Sequence, residues 1–475
     1  MNTKLYLIIG LIVSTCALQG LQAQQKWTLE QCVEKAVSSS INVSRSELNI
    51  QNAQISMDLA KQARYPFLSG NANLNWNFGR SIDPTTNGFI TERFFSNNYS
   101  LNSGVVIFNG FRIKNNIAKS ALDYQAAEAD TKQLELDLSL QVALTYLNVV
   151  FEKENIEIAK KQLNLNEQQL VRIQKSINAG ALAASEDLNI KAQIANNQQN
   201  IVVAQNRYEL ALFQLKQALR IDVSTEIEVV VPEDIDLIDD LDNITYEQLL
   251  KESLKQRYDL LGAKYRAESS ELAIDIAKSG YYPTLSLGGS LNTYYSNQAL
   301  EVIGQEPLFV VNDFVINNMD VEVGQFIDRP ITSTPGFLSQ LDNFLSYGFG
   351  LQLNVPIYNN GITDGNVQRA QINVENQKLN KAELSEALQL TIHQALTDAK
   401  AAKRKLAASE VSLNAQEAAF ENVSKRLKLG AANSFEWETQ KTNLENAEIT
   451  KLLDKYDYIF KVKVVEFYLG KKIKL

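Results

Sequence analysis

The chain is poor in the residues that build reactive centres. Its 475 residues include one histidine, His393, and two cysteines, Cys16 and Cys32. A single histidine leaves almost no room for His-built metal sites, Ser-His-Asp triads or Cys-His dyads. Two cysteines build neither a zinc cluster nor a disulfide framework. No G-x-x-x-x-G-K-[ST] phosphate loop occurs, so any ATP use would lie elsewhere. The sequence therefore reads as a non-enzyme with no cofactor and no metal. Basic residues are outnumbered, 46 Lys and Arg against 55 Asp and Glu, for a net charge of −9. That balance argues against nucleic acid as a partner, which calls for a basic face. Proline is scarce: none of the eight lies between 85 and 231, and none after 356. Two proline-free stretches of that length predict very long helices.

Residues 1–23 read as a secretory signal peptide: Lys4, the apolar run Leu5 to Val13, and Leu21-Gln22-Ala23 ahead of Gln24. Val13-Ser14-Thr15-Cys16 offers a competing reading, a lipoprotein box with Cys16 as lipid acceptor, although Thr15 is a poor residue at that place. Cleavage after Ala23 removes Lys4 and no acid, which takes the net charge from −9 to −10. Cys32 then remains as a small buried residue on a helix. No later run of eighteen apolar residues occurs, so no membrane-spanning helix is expected.

The rest of the chain is written twice. Thr28-Leu29-Glu30-Gln31 matches Thr245-Tyr246-Glu247-Gln248, and both have capping-box form. Ala60-Lys61 and Tyr65-Pro66 match Ala277-Lys278 and Tyr282-Pro283 at the same offset. Ile107-Phe108-Asn109 matches Ile357-Tyr358-Asn359, and Gly180-Ala181 matches Gly430-Ala431, both at one wider offset. The widening places an insertion between 283 and 357. Repeat 1 is assigned to 24–219, with a first helix from Thr28 to about Ala63, strands about 66–79 and 99–109, a long helix about 113–178 and a helix about 184–219. A linker, 220–244, carries the acidic stretch Glu233 to Asp242. It lacks the central glycine of a calcium loop and reads as solvated. Repeat 2 is assigned to 245–468, with a first helix over 245–279, strands about 283–297 and 343–357, a long helix about 363–429 and a helix about 435–468. A tail, 469–475, follows.

The long helices carry coiled-coil spacing. Ile156, Ala159, Leu163, Asn166, Leu170, Ile173 and Ile177 step three and four positions at a time, and Leu406, Ser409, Leu413, Gln416, Phe420, Val423 and Leu427 repeat the steps. Asn166 and Gln416 stand at the same place, as a register-setting polar pair would. The strands alternate strictly. Leu68, Gly70, Ala72, Leu74, Trp76 and Phe78 share one face, and Ser69, Asn71, Asn73, Asn75 and Asn77 the other. Tyr99, Leu101, Val105 and Ile107 alternate with Ser100, Asn102 and Gly104, and Leu285, Leu287 and Leu291 with Ser286, Gly288, Ser290 and Asn292. In the fourth strand Tyr347, Phe349, Leu351 and Leu353 alternate with Ser346, Gly348, Gly350, Gln352 and Asn354. This is the pattern of a membrane barrel strand, apolar toward lipid and polar toward water. A half-buried sheet of a soluble domain alternates too. Four strands cannot close a barrel, and an open edge in lipid leaves backbone groups unpaired. A barrel would therefore be shared between copies, with Asn71, Asn73, Asn75, Asn77, Gln352 and Asn354 lining the pore.

These features together resemble the TolC family of outer-membrane efflux proteins, over essentially the whole mature chain. The local marks are Tyr65-Pro66 and Tyr282-Pro283 entering strands, Phe108-Asn109-Gly110 and Tyr358-Asn359-Asn360-Gly361 leaving them, and the two glycine turns. The resemblance implies an α+β membrane protein of two tandem helix–strand–strand–long helix–helix repeats. It implies a homotrimer whose twelve-stranded outer-membrane β-barrel continues into a twelve-helix coiled-coil periplasmic α-barrel. It also implies a passive exit channel for tripartite efflux or type I secretion, which docks a periplasmic adaptor protein and, through it, an inner-membrane transporter of RND or ABC type. The alternative is a secreted coiled-coil structural or adaptor protein without a pore.

The resemblance carries site residues with it. A glycine followed six positions later by an acid marks the periplasmic entrance, here Gly430 with Glu436 and Gly180 with Glu186. The threefold would gather three Glu436 carboxylates into a gate; the alternative is a solvated helix-start glutamate. A second family acid is replaced by Thr439, and the arginine and tyrosine of the family's closing network by Ala432 and Leu427, so a closed state would be locked differently. Trp437 is read as a packing residue. Gly180-Ala181 and Gly430-Ala431 match the adaptor-docking turns, or else simply end helices. The inserted segment, 298–342, with Pro307, Pro330 and Pro335, is read as turns or disorder rather than strand, partly covering the external pore mouth.

Overall fold

The protein is described by a computed structural model over residues 25–82, 87–91, 93–180, 183, 185–231, 241–316 and 319–471. The signal-peptide, Cys16 and Ala181 assignments lie outside these residues, as do most of the acidic linker and the last residues of the tail. The chain divides into two units, one helical and one built on a sheet.

The helical unit comprises residues 1–53, 122–267 and 376–475. It opens with a short strand, β1 (Gln25–Trp27), and helix α1 (Leu29–Ser39). Helix α2 (Ile41–Gln62) follows. Helix α3 (Arg112–Asn178) has 67 residues, about 100 Å at 1.5 Å per residue. Helix α4 (Ser185–Leu219) has 35. After strand β6 (Ile227–Val229) come α5 (Tyr246–Gln256) and α6 (Tyr258–Lys278). The second long helix, α8 (Ile362–Lys428), again has 67 residues, and α9 (Ser434–Tyr468) again has 35. Both capping boxes are closed: Gln31 N donates to Thr28 Oγ1 and Gln248 N to Thr245 Oγ1, and each glutamine side chain accepts from its threonine N–H.

One continuous helix was expected over 28–63 and another over 245–279; each is two helices. The chain leaves helical geometry at Ser40 (ψ 124°) and Arg257 (ψ 99°), which are equivalent positions of the two repeats. Ser40 Oγ accepts from Val43 N and starts α2 as a cap would. Ser39 Oγ donates to Leu219 O, and Ser253 Oγ to Tyr468 O, so each break is tied to the end of the repeat's last helix. The Ser38-Ser39-Ser40 run carried this signal.

Three apolar clusters among the described residues hold the helices together, the smallest being Leu413 of α8 with Leu444 and Ala447 of α9. One joins Leu29, Cys32 and Ala36 of α1 to Val142 through Val150 of α3, Leu215 of α4 and Tyr456 of α9. Burial pushes the Cys32 thiol up to about 12. Another joins Leu249 of α5 to Ile392 of α8 and Val462 of α9. Tyr146 donates its hydroxyl to Val230 O at 2.6 Å and lies 3.1 Å from Trp27 O, pinning the parallel β1–β6 ribbon to α3. One stretch of α3 is long and apolar enough to cross a membrane by length and composition, a property that the core helix of a soluble protein shares. Val142, Ala143 and Leu147 are fully buried in the first cluster.

The second unit comprises residues 54–121 and 268–375. Its strands are β2 (Phe67–Asn77), β5 (Phe94–Asn109), β7 (Thr284–Ser296) and β10 (Ser346–Asn354), antiparallel in the order β10–β7–β5–β2. A small ribbon, β3 (Ser81–Ile82) with β4 (Phe89–Ile90), sits between the first two strands in sequence. At Gly110, which turns β5 into α3 with φ +63°, a Cβ would approach Tyr282 Cβ to 2.8 Å.

The inserted segment corrects an expectation. It is a long hairpin, β8 (Glu301–Ile316) with β9 (Met319–Ser333), followed by helix α7 (Phe337–Asn343). Each strand of a two-stranded ribbon has a free edge, where Pro307 and Pro330 need donate nothing. The antiparallel pairing runs from Glu301↔Ser333 to Ile316↔Met319.

Candidate functional site

The four-stranded sheet has two unlike faces and no charge. None of its strands contains Asp, Glu, Lys, Arg or His. The register aligns Asn71, Ser100, Asn292 and Ser346 in one row, Asn73 beside Asn98, Asn75 beside Ser96, and Gln352 beside Ser286. Asn71, Asn73, Asn75, Asn77, Gln352 and Asn354 therefore stand on a single face. The other face carries Leu68, Trp76, Leu101, Leu291, Tyr347 and Phe349. A soluble half-buried sheet would cover such a face. Here Tyr347 is 83% exposed and Phe349 89%. β2 pairs only with β5 and β10 only with β7 among the described residues, so both outer strands keep a row of unpaired backbone groups.

At one end of the helical unit lie the two glycine turns. Gly180 and Gly430 have φ of +71° and +72°. Gly430 N donates to Leu427 O and Ala431 N to Arg426 O, the two bonds of a Schellman ending. A residue with a Cβ would be strained in this backbone. Arg426 holds the turn a second time. Its guanidinium donates to Ala431 O at 3.1 Å and to Glu436 Oε1 at 2.6 Å. Glu436 N in turn donates to Asn433 Oδ1, the cap of α9. Glu436, read from the sequence as a gate carboxylate or a solvated helix-start acid, is thus paired with Arg426 of its own chain. Arg426 was missed because it lies on the preceding helix and meets Glu436 only once the turn folds.

The other acids of this end are placed differently. Glu186 and Thr439 line one cavity of about 610 Å³ with Gln169, Phe435 and Glu438; Glu436 does not line it. Thr439 Oγ1 donates to Phe435 O within its own helix. Glu438, unnoticed in the sequence, has a buried carboxylate oxygen without a hydrogen bond. Burial pushes its carboxyl above the usual range, Lys441 pulls it down, and Glu445 and Glu186 push it up. Burial raises Glu445 in the same way. Lys441 is 1% exposed and forms the centre of this group. Its ammonium lies 3.2 Å from Glu445, donates to Asn166 of α3, and sits 5.7 Å from the centre of the Trp437 ring. Gln440 Nε2 donates to Gln416 Oε1 at 2.5 Å. Asn166 and Gln416, the matched polar pair of the two stripes, thus both bond to α9. Trp437 packs as expected, buried against Phe420 with its indole N–H donated to Ser424.

The comparisons agree with this arrangement. The family model described as "Outer membrane efflux protein" matches residues 32–219 and 249–471. The cation efflux system protein CusC of Escherichia coli O157:H7 is 22% identical over 409 residues, 82% of this chain and 76% of the relative. The probable outer membrane lipoprotein SilC of Salmonella typhimurium is 20% identical over 55% of this chain and 54% of its own length. Among solved structures, CusC superposes with a TM-score of 0.73 at 16% identity, covering 93% of this chain and 92% of that one. The outer membrane protein VceC of Vibrio cholerae gives 0.73 at 14% identity over 94% and 97%. The alternative of a pore-less secreted coiled-coil protein finds no support. The chain belongs to the outer membrane efflux protein family, and its fold is that of outer-membrane channels.

Proposed function

We propose that the chain, after removal of residues 1–23, forms a homotrimer whose twelve strands close one barrel, with Asn71, Asn73, Asn75, Asn77, Gln352 and Asn354 facing a water-filled pore. The observation that carries this reading is the open, charge-free sheet with an exposed apolar face and two unpaired edges. Joining β2 of one copy to β10 of the next would satisfy both edges, and lipid would cover the apolar face. The helices supply the periplasmic extension. Gly180, Ala181, Gly430 and Ala431 form the turns that meet a periplasmic adaptor, and an RND or ABC-type transporter of the inner membrane supplies the energy. Glu186, Glu436 and Thr439 surround the entrance, and the Arg426 clasp on Glu436 holds it in its resting state. The neutral strand lining would pass cargo without sorting it by charge, leaving that task to the entrance acids and the pump.

The test is conductance in planar lipid bilayers. The purified protein is expected to insert and give discrete, stable current steps. Absence of any conductance from protein that has inserted would overturn the reading.

A further inference from the structure

Helix α7 lies in the segment by which the second repeat exceeds the first, and it is fastened to the sheet's apolar face. Thr293 and Tyr295 share that face with Leu291, since they alternate with Asn292 and Tyr294. Thr293 Oγ1 donates to Leu341 O at 2.7 Å. Ser296 N donates to the buried Gln340 Oε1 at 2.9 Å, and Gln340 Nε2 donates to Pro335 O. Phe337 packs against Tyr295 at 5.1 Å and Tyr99 at 6.4 Å between ring centres. The contacts continue from Tyr295 to Phe95 and from Phe95 to Trp76. An aromatic row thus crosses β7, β5 and β2 at the end of the sheet remote from Pro66 and Pro283, with α7 at its side.

We propose that α7 is an interfacial anchor, resting on the headgroup region of a lipid surface at the outer rim of the sheet. The inference rests on the proposed reading that the apolar face meets lipid. Three features select this occupant. The helix continues the charge-free apolar face, and its own single charge is Asp342. Leu338, 77% exposed, projects from a helix whose opposite side is fixed by Gln340. The first turn of α7 follows Gly336, which offers no side-chain cap, so the N–H groups of Phe337, Leu338 and Ser339 need the water of a headgroup layer rather than hydrocarbon. Aromatic rings at this level are the usual mark of a membrane boundary.

The test labels Leu338→Cys with an environment-sensitive fluorophore in the mature protein, which begins at Gln24 and lacks Cys16, reconstituted in phosphatidylcholine vesicles that carry a nitroxide at a shallow or a deep acyl position. Phe349→Cys reports the middle of the apolar face and Gln352→Cys the polar face; Cys32 is buried and stays unlabelled. The label at 338 is expected to be quenched at least twofold more by the shallow nitroxide than by the deep one, and the label at 349 more by the deep one. Quenching at 338 by aqueous iodide as strong as at 352, with none by lipid, would overturn the proposal, because α7 would then face water. Protection at 338 from all three quenchers would overturn it too, because another copy would then cover the helix. Failure of the 349 label to meet either lipid quencher would instead bring down the reading of the apolar face itself.

Discussion

Replacing Lys441 by methionine would remove the ammonium that contacts Glu445 and Asn166 while keeping the volume of the side chain. Glu445 and Glu438 would then stay in a poorly solvated place without this counter-charge. Breaking a fully buried pair from one side costs about 3–5 kcal/mol. Glu445 keeps 16% of its side-chain exposure, so the lower end, about 3 kcal/mol, applies. At about 1.36 kcal/mol per tenfold, local opening becomes roughly 100-fold more frequent. Hydrogen exchange read by mass spectrometry on peptides spanning 437–447 should show that loss of protection. The first repeat supplies the control. Lys191 holds the place equivalent to Lys441 in that repeat but is half-exposed and paired with Asp187 on its own helix. Lys191→Met should change exchange there by about two- to threefold, the worth of a surface pair. Adding Glu445→Gln to Lys441→Met should restore much of the protection. The sign of the pH effect follows from the raised carboxyls of Glu438 and Glu445. Protonation favours the folded state, so their contribution is fully present below the ordinary carboxylate range and is lost as pH rises through their raised values. Protection of 437–447, corrected for intrinsic rates, should therefore be greater near pH 5 than at pH 8. Unchanged exchange in Lys441→Met, or equal effects at 191 and 441, would refute the role given to this lysine.

Three further outcomes follow from the entrance and the core. Arg426→Ala should release Glu436 and raise cation selectivity, seen as a larger reversal potential across a KCl gradient, while stability changes by no more than about 1 kcal/mol because the pair is half-exposed. Gly430→Ala, forced into φ +72°, should cost about 1–2 kcal/mol locally and increase proteolysis at the turn, with the thermal midpoint of the whole chain little changed. Cys32, with its thiol pushed up to about 12, should resist iodoacetamide at pH 8 in the folded protein and react once unfolded, as peptide mass would show.

Much of this architecture is legible in the sequence because it is periodic. Strict alternation set the faces of β2 and β10, and the absence of proline set the two long helices, α3 and α8. The glycines at 180 and 430, each followed by an acid six positions on, marked the ends of the helices. What escaped was not periodic. The break at Arg257 interrupts good helix-forming sequence, and both breaks are tied by side-chain bonds to Leu219 O and Tyr468 O, which belong to distant residues; only the Ser38-Ser39-Ser40 run marks the first locally. The β8–β9 hairpin tolerates two prolines because both its edges are free, whereas proline reads as a strand breaker when the partner is unknown. Glu436 reads as a free acid until folding brings Arg426 around the turn. Lys441 looks like any surface lysine at its place in the heptads. Its burial follows from the packing of α9 on α3, which no single helix announces.

The central claim is that four strands per chain complete a barrel shared between copies. The most direct test is the native mass of the mature protein extracted from outer-membrane fractions in mild detergent. The account predicts a species of about three protomers that stays in solution only with detergent. A water-soluble species of one or two protomers would contradict it, since the apolar face of the sheet would then have to be covered by protein.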